Sequence, residues 1–343
     1  MGFVRNRPLR TWTAAGLGGV LVCGSLAACG GGGGDKSSPA RPGKGGAAAT
    51  PTALGYHPLN GGGTGLRNPV LAVKIENTAP AMPQSGVSAA DVVYVEQVEG
   101  GETRLMAVFS SRLPARVGPV RSARISDLHL LPQFGRPAFA FSGVQSKMKK
   151  YIRKAPVYDI SQDNGGRAYV RDNSRRIPYN LYADPKDLLK QAPKAEGPKD
   201  VGFRFGPAPD GGTPTSSFTA KWPAADMEFT WSAKEKRWLA SFHGRPDMDA
   251  AGGRVGGRTV VVQRAKTTRS QFHDFLGAYT PLIHTTGTGT ATVYRDGKAY
   301  EARWSRPSED KGTTFTTADG KPLNFAPGQV WIVLVNDGKP YMP

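Results

Sequence analysis

Both cysteines of this chain, Cys23 and Cys29, lie in its first 29 residues. The rest of the chain contains no thiol, so it can form no disulfide and supplies neither a cysteine nucleophile nor a thiolate metal ligand. Whatever folds beyond this segment must be held together without covalent cross-links. The same observation excludes cysteine-dependent transpeptidases from the functions that this chain could have.

The N-terminal segment has the parts of an export signal. Three arginines precede a mostly apolar run, 12–26, which is too short and too rich in glycine for a comfortable membrane span. Leu26-Ala27-Ala28-Cys29 resembles the lipobox of bacterial lipoproteins, in which the cysteine is lipidated and the preceding segment is removed. We predict a signal peptide at 1–28, lipidation of Cys29 and anchoring on the extracytoplasmic face of the cell membrane. An ordinary signal peptide with a chance cysteine is the alternative.

Composition divides the remaining chain into a tether and two folded parts. Residues 29–55 are mostly Gly, Ala, Ser, Pro and Lys without apolar periodicity, which is typical of a flexible tether. A linker rich in Pro and Gly at 196–224 then separates an N-terminal domain, 56–195, from a C-terminal domain, 225–343.

Apolar periodicity predicts an α+β fold. Alternating residues predict strands at 71–75, 91–98 and 104–110, and Gly100-Gly101 predicts a hairpin between the last two. The predicted helices of the N-terminal domain span 126–134, 145–154 and 185–191. Almost all signals of the C-terminal domain are strands, and 268–276 is its one predicted helix. We therefore expect a mixed N-terminal domain followed by a mainly antiparallel β domain.

The densest polar motif is Gly118-Pro119-Val120-Arg121-Ser122-Ala123-Arg124, at the start of a predicted helix. Arginines three apart on a helix share a face, and their guanidinium groups match the oxygens of carboxylates and phosphates. Free N–H groups near a helix start add to the same field. The motif predicts an anion site. The alternative is a structural clamp in which the arginines pair with Asp91, Glu96 or Glu99.

The formal charge of the chain is +18, and it is still +15 without the leader arginines. Outside the cell such a field attracts lipid head groups, wall polymers that carry phosphate or carboxylate, and nucleic acid. We expect two partners: the membrane, through the lipid anchor, and an anionic wall polymer or another envelope component. Nucleic acid is not favoured, because no known binding module is present. A basic composition without a function is the alternative.

Motifs for common enzyme chemistry are missing from the sequence. It has no nucleophile elbow, Walker loop, His-Glu-x-x-His or dinucleotide fingerprint. Its five histidines lack ligand spacing, so we expect neither a metal nor a cofactor. Ser146-Lys147-Met148-Lys149 has the Ser-x-x-Lys spacing of penicillin-interacting enzymes, but no Lys-Thr-Gly follows it.

Several longer motifs resemble a known family, the YerB-type bacterial lipoproteins, which consist of two domains of unknown function named DUF3048. The N-terminal motifs are Asn77 after a strand, Met82-Pro83-Gln84-Ser85-Gly86, Ala90-Asp91-Val92-Val93-Tyr94, Val98-Glu99-Gly100-Gly101, Thr103-Arg104 and the Gly118–Arg124 string. The C-terminal motifs are Val260-Val261-Val262-Gln263, Gly287, Gly289, Asp296-Gly297-Lys298, Trp304 and Gly328-Gln329-Val330-Trp331. The resemblance implies an envelope location and a body of two domains, and it brings no established reaction.

This chain departs from the family pattern at two positions. Where many relatives have an acid directly after the strand tyrosine, it has Val95 and then Glu96. Where they often have Pro-His-Asn-Leu-Tyr, it has Pro178-Tyr179-Asn180-Leu181-Tyr182. Polar residues of these motifs are our candidate ligand-binding residues: Asn77, Asp91, Tyr94, Glu99, Arg104, Arg121, Ser122, Arg124, Asn180 and Tyr182.

The sequence favours a binding protein over an enzyme. We predict a lipid-anchored protein that binds an anionic envelope ligand through the arginine-rich motif. One alternative is a hydrolase of phosphodiester or glycan bonds, with Asp91 or Glu99 as acid or base and arginines that stabilise the transition state. The other is a scaffold for envelope proteins.

Overall fold

A mixed sheet of eleven strands lies at the centre of the fold. The computed structural model describes residues 55–63, 67–274 and 276–338. The predicted signal peptide, Cys29 and all of the predicted tether except Gly55 lie outside the described residues. In the part of the chain that is described, no helix is long and apolar enough to cross a membrane.

Five strands from the N-terminal half form one end of this sheet. The strands of this half are β1 (Leu71–Asn77), β2 (Val92–Gln97), β3 (Thr103–Phe109), β4 (Ala138–Ala140), β5 (Tyr158–Asp159), β6 (Tyr169–Arg171) and β7 (Leu181–Ala183). β3 pairs antiparallel with both β1 and β2, and β4 and β5 continue the sheet in parallel beyond β1. The predicted hairpin is confirmed, because a short 3-10 turn at Glu99–Gly101 joins β2 to β3. β6 and β7 form a separate hairpin.

The C-terminal half contributes thirteen strands, and six of them continue the same sheet. They are β8 (Thr213–Pro214), β9 (Ser217–Lys221), β10 (Asp226–Ser232), β11 (Arg237–Phe242), β12 (Arg245–Pro246), β13 (Gly256–Gly257), β14 (Thr259–Ala265), β15 (Thr267–His273), β16 (Tyr279–Ile283), β17 (Gly287–Arg295), β18 (Lys298–Arg306), β19 (Thr314–Thr316) and β20 (Val330–Asn336). The last strand, β20, pairs in parallel with β2 on one side and β14 on the other. Strands β9–β13 form a separate antiparallel sheet, and β15 pairs with β16.

Helices are few and short, and together with the strands they confirm the predicted α+β class. The α-helices are α1 (Ile125–Leu130), α2 (Lys149–Lys154) and α3 (Pro185–Gln191). The helix predicted at 268–276 is wrong, since most of this segment is β15. Thr267 and Thr268 favour a strand, and pairing with β16 satisfies backbone groups that a helix would have bonded internally. Asp274 then accepts hydrogen bonds from the backbone of Leu276 and Ala278 in the turn.

The two faces of the central sheet carry different layers, because alternate strand residues point to opposite sides. One face, which we call the α3 face, carries α3, the β6–β7 hairpin and the sheet of β9–β13. These elements pack against Leu71, Val73 and Ile75. The opposite face, which we call the α1 face, carries α1, α2 and the β15–β16 ribbon. These elements pack against Ala72 and the other side chains that point to the same side of the sheet. Charged side chains replace apolar ones where the α1 face reaches the ends of β1 and β2.

Candidate functional site

Eight charged side chains gather at this end of the α1 face, four acids and four bases: Lys74, Glu76, Glu96, Glu99, Arg104, Arg121, Arg124 and Asp127. Strand register explains the centre of the cluster, because Arg104 lies opposite Glu76 on β1 and Glu96 on β2. Cross-strand neighbours of opposite charge stabilise one another. The formal charges of the eight groups cancel.

Lys74 joins two carboxylates in the most deeply buried part of the cluster. Its Nζ donates to Glu96 Oε2 at 2.9 Å and to Asp127 Oδ1 at 2.6 Å, and all three side chains are almost inaccessible to solvent. Burial raises the pKa of Glu96 to about 8, with repulsion from Asp127 adding to the shift and attraction to Lys74 opposing it. Glu96 therefore holds its proton to a higher pH than an exposed glutamate does.

Glu76 is the acceptor for the next two bases. Arg121 Nε donates to Glu76 Oε2, and Arg104 Nε lies 3.7 Å from the same oxygen. Arg104 Nη1 also donates to the carbonyl of Ser122 at 3.0 Å. Burial lowers the pKa of Arg104, and repulsion from Arg124 adds to this shift, so that the pKa is about 9. Arg104 thus keeps its charge at neutral pH inside the protein.

Arg124 and Glu99 form the outermost pair. Arg124 donates from Nε at 2.8 Å and from Nη2 at 2.5 Å to Glu99 Oε2, and the hydroxyl of Thr280 donates to Glu99 Oε1. Burial alone would raise the pKa of Glu99, but attraction to Arg124 and these hydrogen bonds outweigh it and lower the pKa. Both arginines predicted for the anion site therefore already donate to carboxylates of this chain.

The Glu99–Arg124 pair also lines a cleft of about 380 Å³. The other lining residues are Ser122, Ala123, Gln145, Met148, Phe272, His273, Asp274 and Thr280. Gln145 Nε2 donates to the carbonyl of His273, and its Oε1 is buried without a hydrogen-bond partner among the described residues. The Nδ1 of His273 lies 2.8 Å from the carbonyl oxygen of Asp274, and that contact fixes the proton on Nδ1. Three predicted site residues, Glu99, Ser122 and Arg124, thus share one cleft.

Asp91, Tyr94 and Asn77 lie elsewhere. Asp91 is at the other end of β2, where its Oδ2 accepts from the backbone N of Ser110 at 2.6 Å and of Ser111 at 2.9 Å. Its Oδ1 accepts from the amide of Asn60 at 2.5 Å. Tyr94 is buried in the core of the α1 face and accepts a 3.3 Å hydrogen bond from Gln133.

Asn77 ends β1 and is fully buried. Its amide donates to Thr103 Oγ1 at 2.8 Å and accepts from Gln84 at 3.1 Å, so it fixes the end of the β1–β3 pair.

Asn180 and Tyr182 belong to the β6–β7 hairpin. Asn180 accepts a 2.8 Å hydrogen bond from Arg171. The hydroxyl of Tyr182 accepts from Arg175, and the guanidinium of Arg116 lies 3.6 Å from the centre of its ring. These contacts brace the hairpin, and the two residues do not line the cleft.

A second polar feature beside the cleft was not among the predicted site residues. Five exposed cationic side chains, which we call the α2 basic surface, belong to α2 and the turn before it: Lys147, Lys149, Lys150, Arg153 and Lys154. Phe272 links this surface to the cleft, because it lines the cleft and also a depression beside α2. The signal was present in the sequence as five cations within eight residues.

No group of three or more His, Cys, Asp or Glu side chains that could hold a metal ion occurs within the described ranges. The cleft presents one histidine, two carboxylates and an arginine that is already paired, and this donor set is suited to hydrogen bonding.

Comparison with known proteins identifies the family. The N-terminal domain of the family "Protein of unknown function (DUF3048)" matches residues 61–199, and its C-terminal domain matches residues 218–332. The chain is 28% identical over 281 residues to "Putative lipoprotein YerB" of Bacillus subtilis strain 168, which covers 79% of this chain and 82% of that protein. The crystal structure of YerB superimposes with a TM-score of 0.70 at 25% identity, over 82% of this chain and 97% of the other. Because the two family domains match well over half of its residues, the chain belongs to the DUF3048 family.

Proposed function

We propose that this protein is a lipid-anchored, extracytoplasmic binding protein for an anionic polymer of the cell envelope. The observation that carries the proposal is the α2 basic surface, five exposed cations beside the cleft. Within the described part of the chain, only Lys149 of the five lies within ion-pair distance of a carboxylate, Asp163 at 3.6 Å. Four unpaired cations on less than three turns of chain create a positive field that attracts repeated phosphates or carboxylates.

Arg121 and Arg124 have a different part in this proposal. Their guanidinium groups are already bonded to Glu76 and Glu99, so a polymer would have to compete with an internal carboxylate for them. Removing one partner of such a buried pair leaves the other charge unpaired, which is costly. We infer that Arg124 and Glu99 hold the wall of the cleft, where a segment of the bound polymer meets Ser122 and Gln145.

The hydrolase alternative has less support. It needs an acid or base and several arginines around one cleft, but Asp91 lies at the opposite end of β2 and Arg104 is buried. Glu99 does line the cleft, yet both of its oxygens already accept hydrogen bonds, from Arg124 and Thr280. A binding role requires none of these groups to be free.

Membrane anchoring is supported by two observations of different kinds. The sequence Leu26-Ala27-Ala28-Cys29 has the form of a lipobox. A relative at 28% identity is named a putative lipoprotein. We expect the full-length protein to fractionate with membranes, and we expect Cys29→Ala to release it.

The binding proposal is tested with full-length protein purified from membranes and a phosphate-bearing wall polymer. The test variant carries Lys147→Gln, Lys150→Gln and Arg153→Gln. The matched control removes three exposed cations elsewhere, by Lys186→Gln, Lys194→Gln and Lys234→Gln. Both variants lose the same net charge, so a difference between them reports position.

We expect the test variant to bind at least about tenfold more weakly at low salt, and the control to stay close to the wild type. Added salt should weaken wild-type binding, because the attraction is between exposed charges. Equal binding by all three proteins, or equal loss in both variants, would contradict the proposal.

A further inference from the structure

The β6–β7 hairpin exposes apolar side chains that a folded protein normally buries. Val170 is 63% exposed and Ile177 is 71% exposed. Among the described residues only four large apolar side chains are exposed in this way, and two of them belong to this hairpin. Both side chains belong to one short hairpin, where a partner that contacts the hairpin would cover them.

Three exposed arginines, Arg167, Arg171 and Arg176, accompany these aliphatic side chains. None of the three lies within ion-pair distance of a carboxylate in the described part of the chain; Arg171 donates to the amide oxygen of Asn180. The acid of the hairpin, Asp172, is already paired with Arg116 at 2.8 Å. We call these five side chains, on the β6–β7 hairpin and the turn before it, the hairpin patch; two are exposed aliphatic groups and three are cations without a carboxylate partner in the described ranges.

Hydrogen bonds hold the loop that carries part of the hairpin patch. Arg175, at the base of the loop, donates to the carbonyls of Pro83 at 3.0 Å and Met82 at 3.1 Å and to the hydroxyl of Tyr182. Leu181 packs in the core of the α3 face. These contacts hold the loop against the body with Ile177 exposed.

We propose that the hairpin patch docks on a lipid surface that carries anionic head groups. Arginines that lie level with the head groups bind their phosphates, and aliphatic side chains between them enter the boundary with the acyl chains. A bilayer surface uses both properties of the patch. A soluble anionic polymer would use only the charge and would leave Val170 and Ile177 in water.

The position of the patch fits this role. The β6–β7 hairpin packs on the α3 face of the central sheet, whereas the cleft and α2 pack on the α1 face. Docking through the hairpin therefore uses elements on a different face of the sheet from the one that carries α2. This inference rests on the membrane anchoring in the proposed function, because a tethered body meets the bilayer at high local concentration.

The test measures amide hydrogen exchange of full-length protein in vesicles. The vesicles consist of phosphatidylcholine alone or of phosphatidylcholine mixed with phosphatidylglycerol. We expect amides of 170–177 to exchange more slowly in the anionic vesicles only. Ile177→Ser should reduce this protection, and Arg167→Ser with Arg176→Ser should reduce the docking equilibrium by about fivefold for each arginine.

Matched controls lie on the other face of the sheet. Leu276→Ser removes an equally exposed aliphatic side chain, and Lys147→Ser with Lys150→Ser removes two cations, so these variants should keep the protection. Equal exchange of 170–177 in both kinds of vesicle, or protection that survives Ile177→Ser and the arginine changes, overturns the proposal. Flotation of the vesicles reports the anchor separately, so loss of anchoring and failure to dock give different results.

Discussion

Replacing Glu96 by Gln tests how the charged cluster is held together. Glu96 Oε2 accepts from Lys74, and its Oε1 is buried without a partner among the described residues. Burial and the nearby Asp127 raise the pKa of this carboxyl from 4.5 to about 8. A neutral glutamine has the shape of the protonated acid, so we expect little change in stability at pH 5, where Glu96 is protonated in the folded protein.

The pH dependence follows from the direction of the shift. Between pH 4.5 and 8 the folded protein holds a proton on Glu96 that the unfolded chain has lost, so this group stabilises the fold most at low pH. Its contribution disappears as the pH rises through about 8. One pKa unit corresponds to about 1.4 kcal/mol, so the wild type should lose about 3 kcal/mol of unfolding free energy relative to Glu96→Gln between pH 5 and pH 8.

Urea denaturation at several pH values measures this difference directly. The control is Glu301→Gln, which changes an exposed glutamate on β18, and its stability should follow the wild type over the same range. If the curves of the wild type and Glu96→Gln run parallel from pH 5 to pH 8, Glu96 is ionised in the folded protein. That result would refute the raised pKa of Glu96.

Two further substitutions test the supports around the site. Asp91→Asn should lower the unfolding free energy by about 2 to 4 kcal/mol in urea denaturation. Oδ2 of Asp91 accepts from the backbone of Ser110 and Ser111, and Oδ1 accepts from Asn60 and the hydroxyl of Ser111, so the NH2 group of an asparagine would face a donor in either orientation; stability within experimental error of the wild type would refute this. Gly86→Ala should lower the thermal midpoint, since Gly86 has a φ of +83° and an added Cβ would lie 2.5 Å from the carbonyl oxygen of Arg116. An unchanged midpoint would show that this turn tolerates a side chain.

Local signals in the sequence predict the elements of this fold well. The strands at 71–75, 91–98 and 104–110 follow from alternation, and Gly100-Gly101 marks the turn between the last two, because residues in contact are close in sequence. The helix predicted at 268–276 fails for the opposite reason. Its strand character depends on β16 and on packing against α2, which no local pattern encodes.

Long-range pairing is the part of the fold that the sequence does not provide. The run of apolar residues at 330–335 predicts a buried strand, but nothing in it indicates that β20 lies between β2 and β14. A strand buried on both faces can pair with many partners, because its side chains are uniformly apolar. The choice is made by the whole sheet, and it brings the two halves of the chain together.

The site shows how much a motif can and cannot predict. The Gly118–Arg124 string predicts an anion site, with pairing of its arginines to Asp91, Glu96 or Glu99 as the alternative, and the structure pairs Arg124 with Glu99. The same argument groups Asp91 with them, although Asp91 and Glu99 flank opposite ends of β2. Alternation along a strand predicts the face on which a side chain lies. Acids at the two ends of one strand are separated by its length, so they cannot serve the same site.

Lys74 is the residue in the sequence that indicates the charged cluster. A lysine inside the apolar run Leu71–Asn77 cannot remain charged in a sheet core unless acids surround it. Two acids do so, Glu96 from β2 and Asp127 from α1, and their positions fix α1 against the strands. Because Arg124 precedes α1 and bonds to Asp127 through its backbone at 2.6 Å, the cluster also sets the position of the cleft wall. The buried charges thus determine the shape of the cleft, while exposed charges on α2 and on the β6–β7 hairpin remain available to partners.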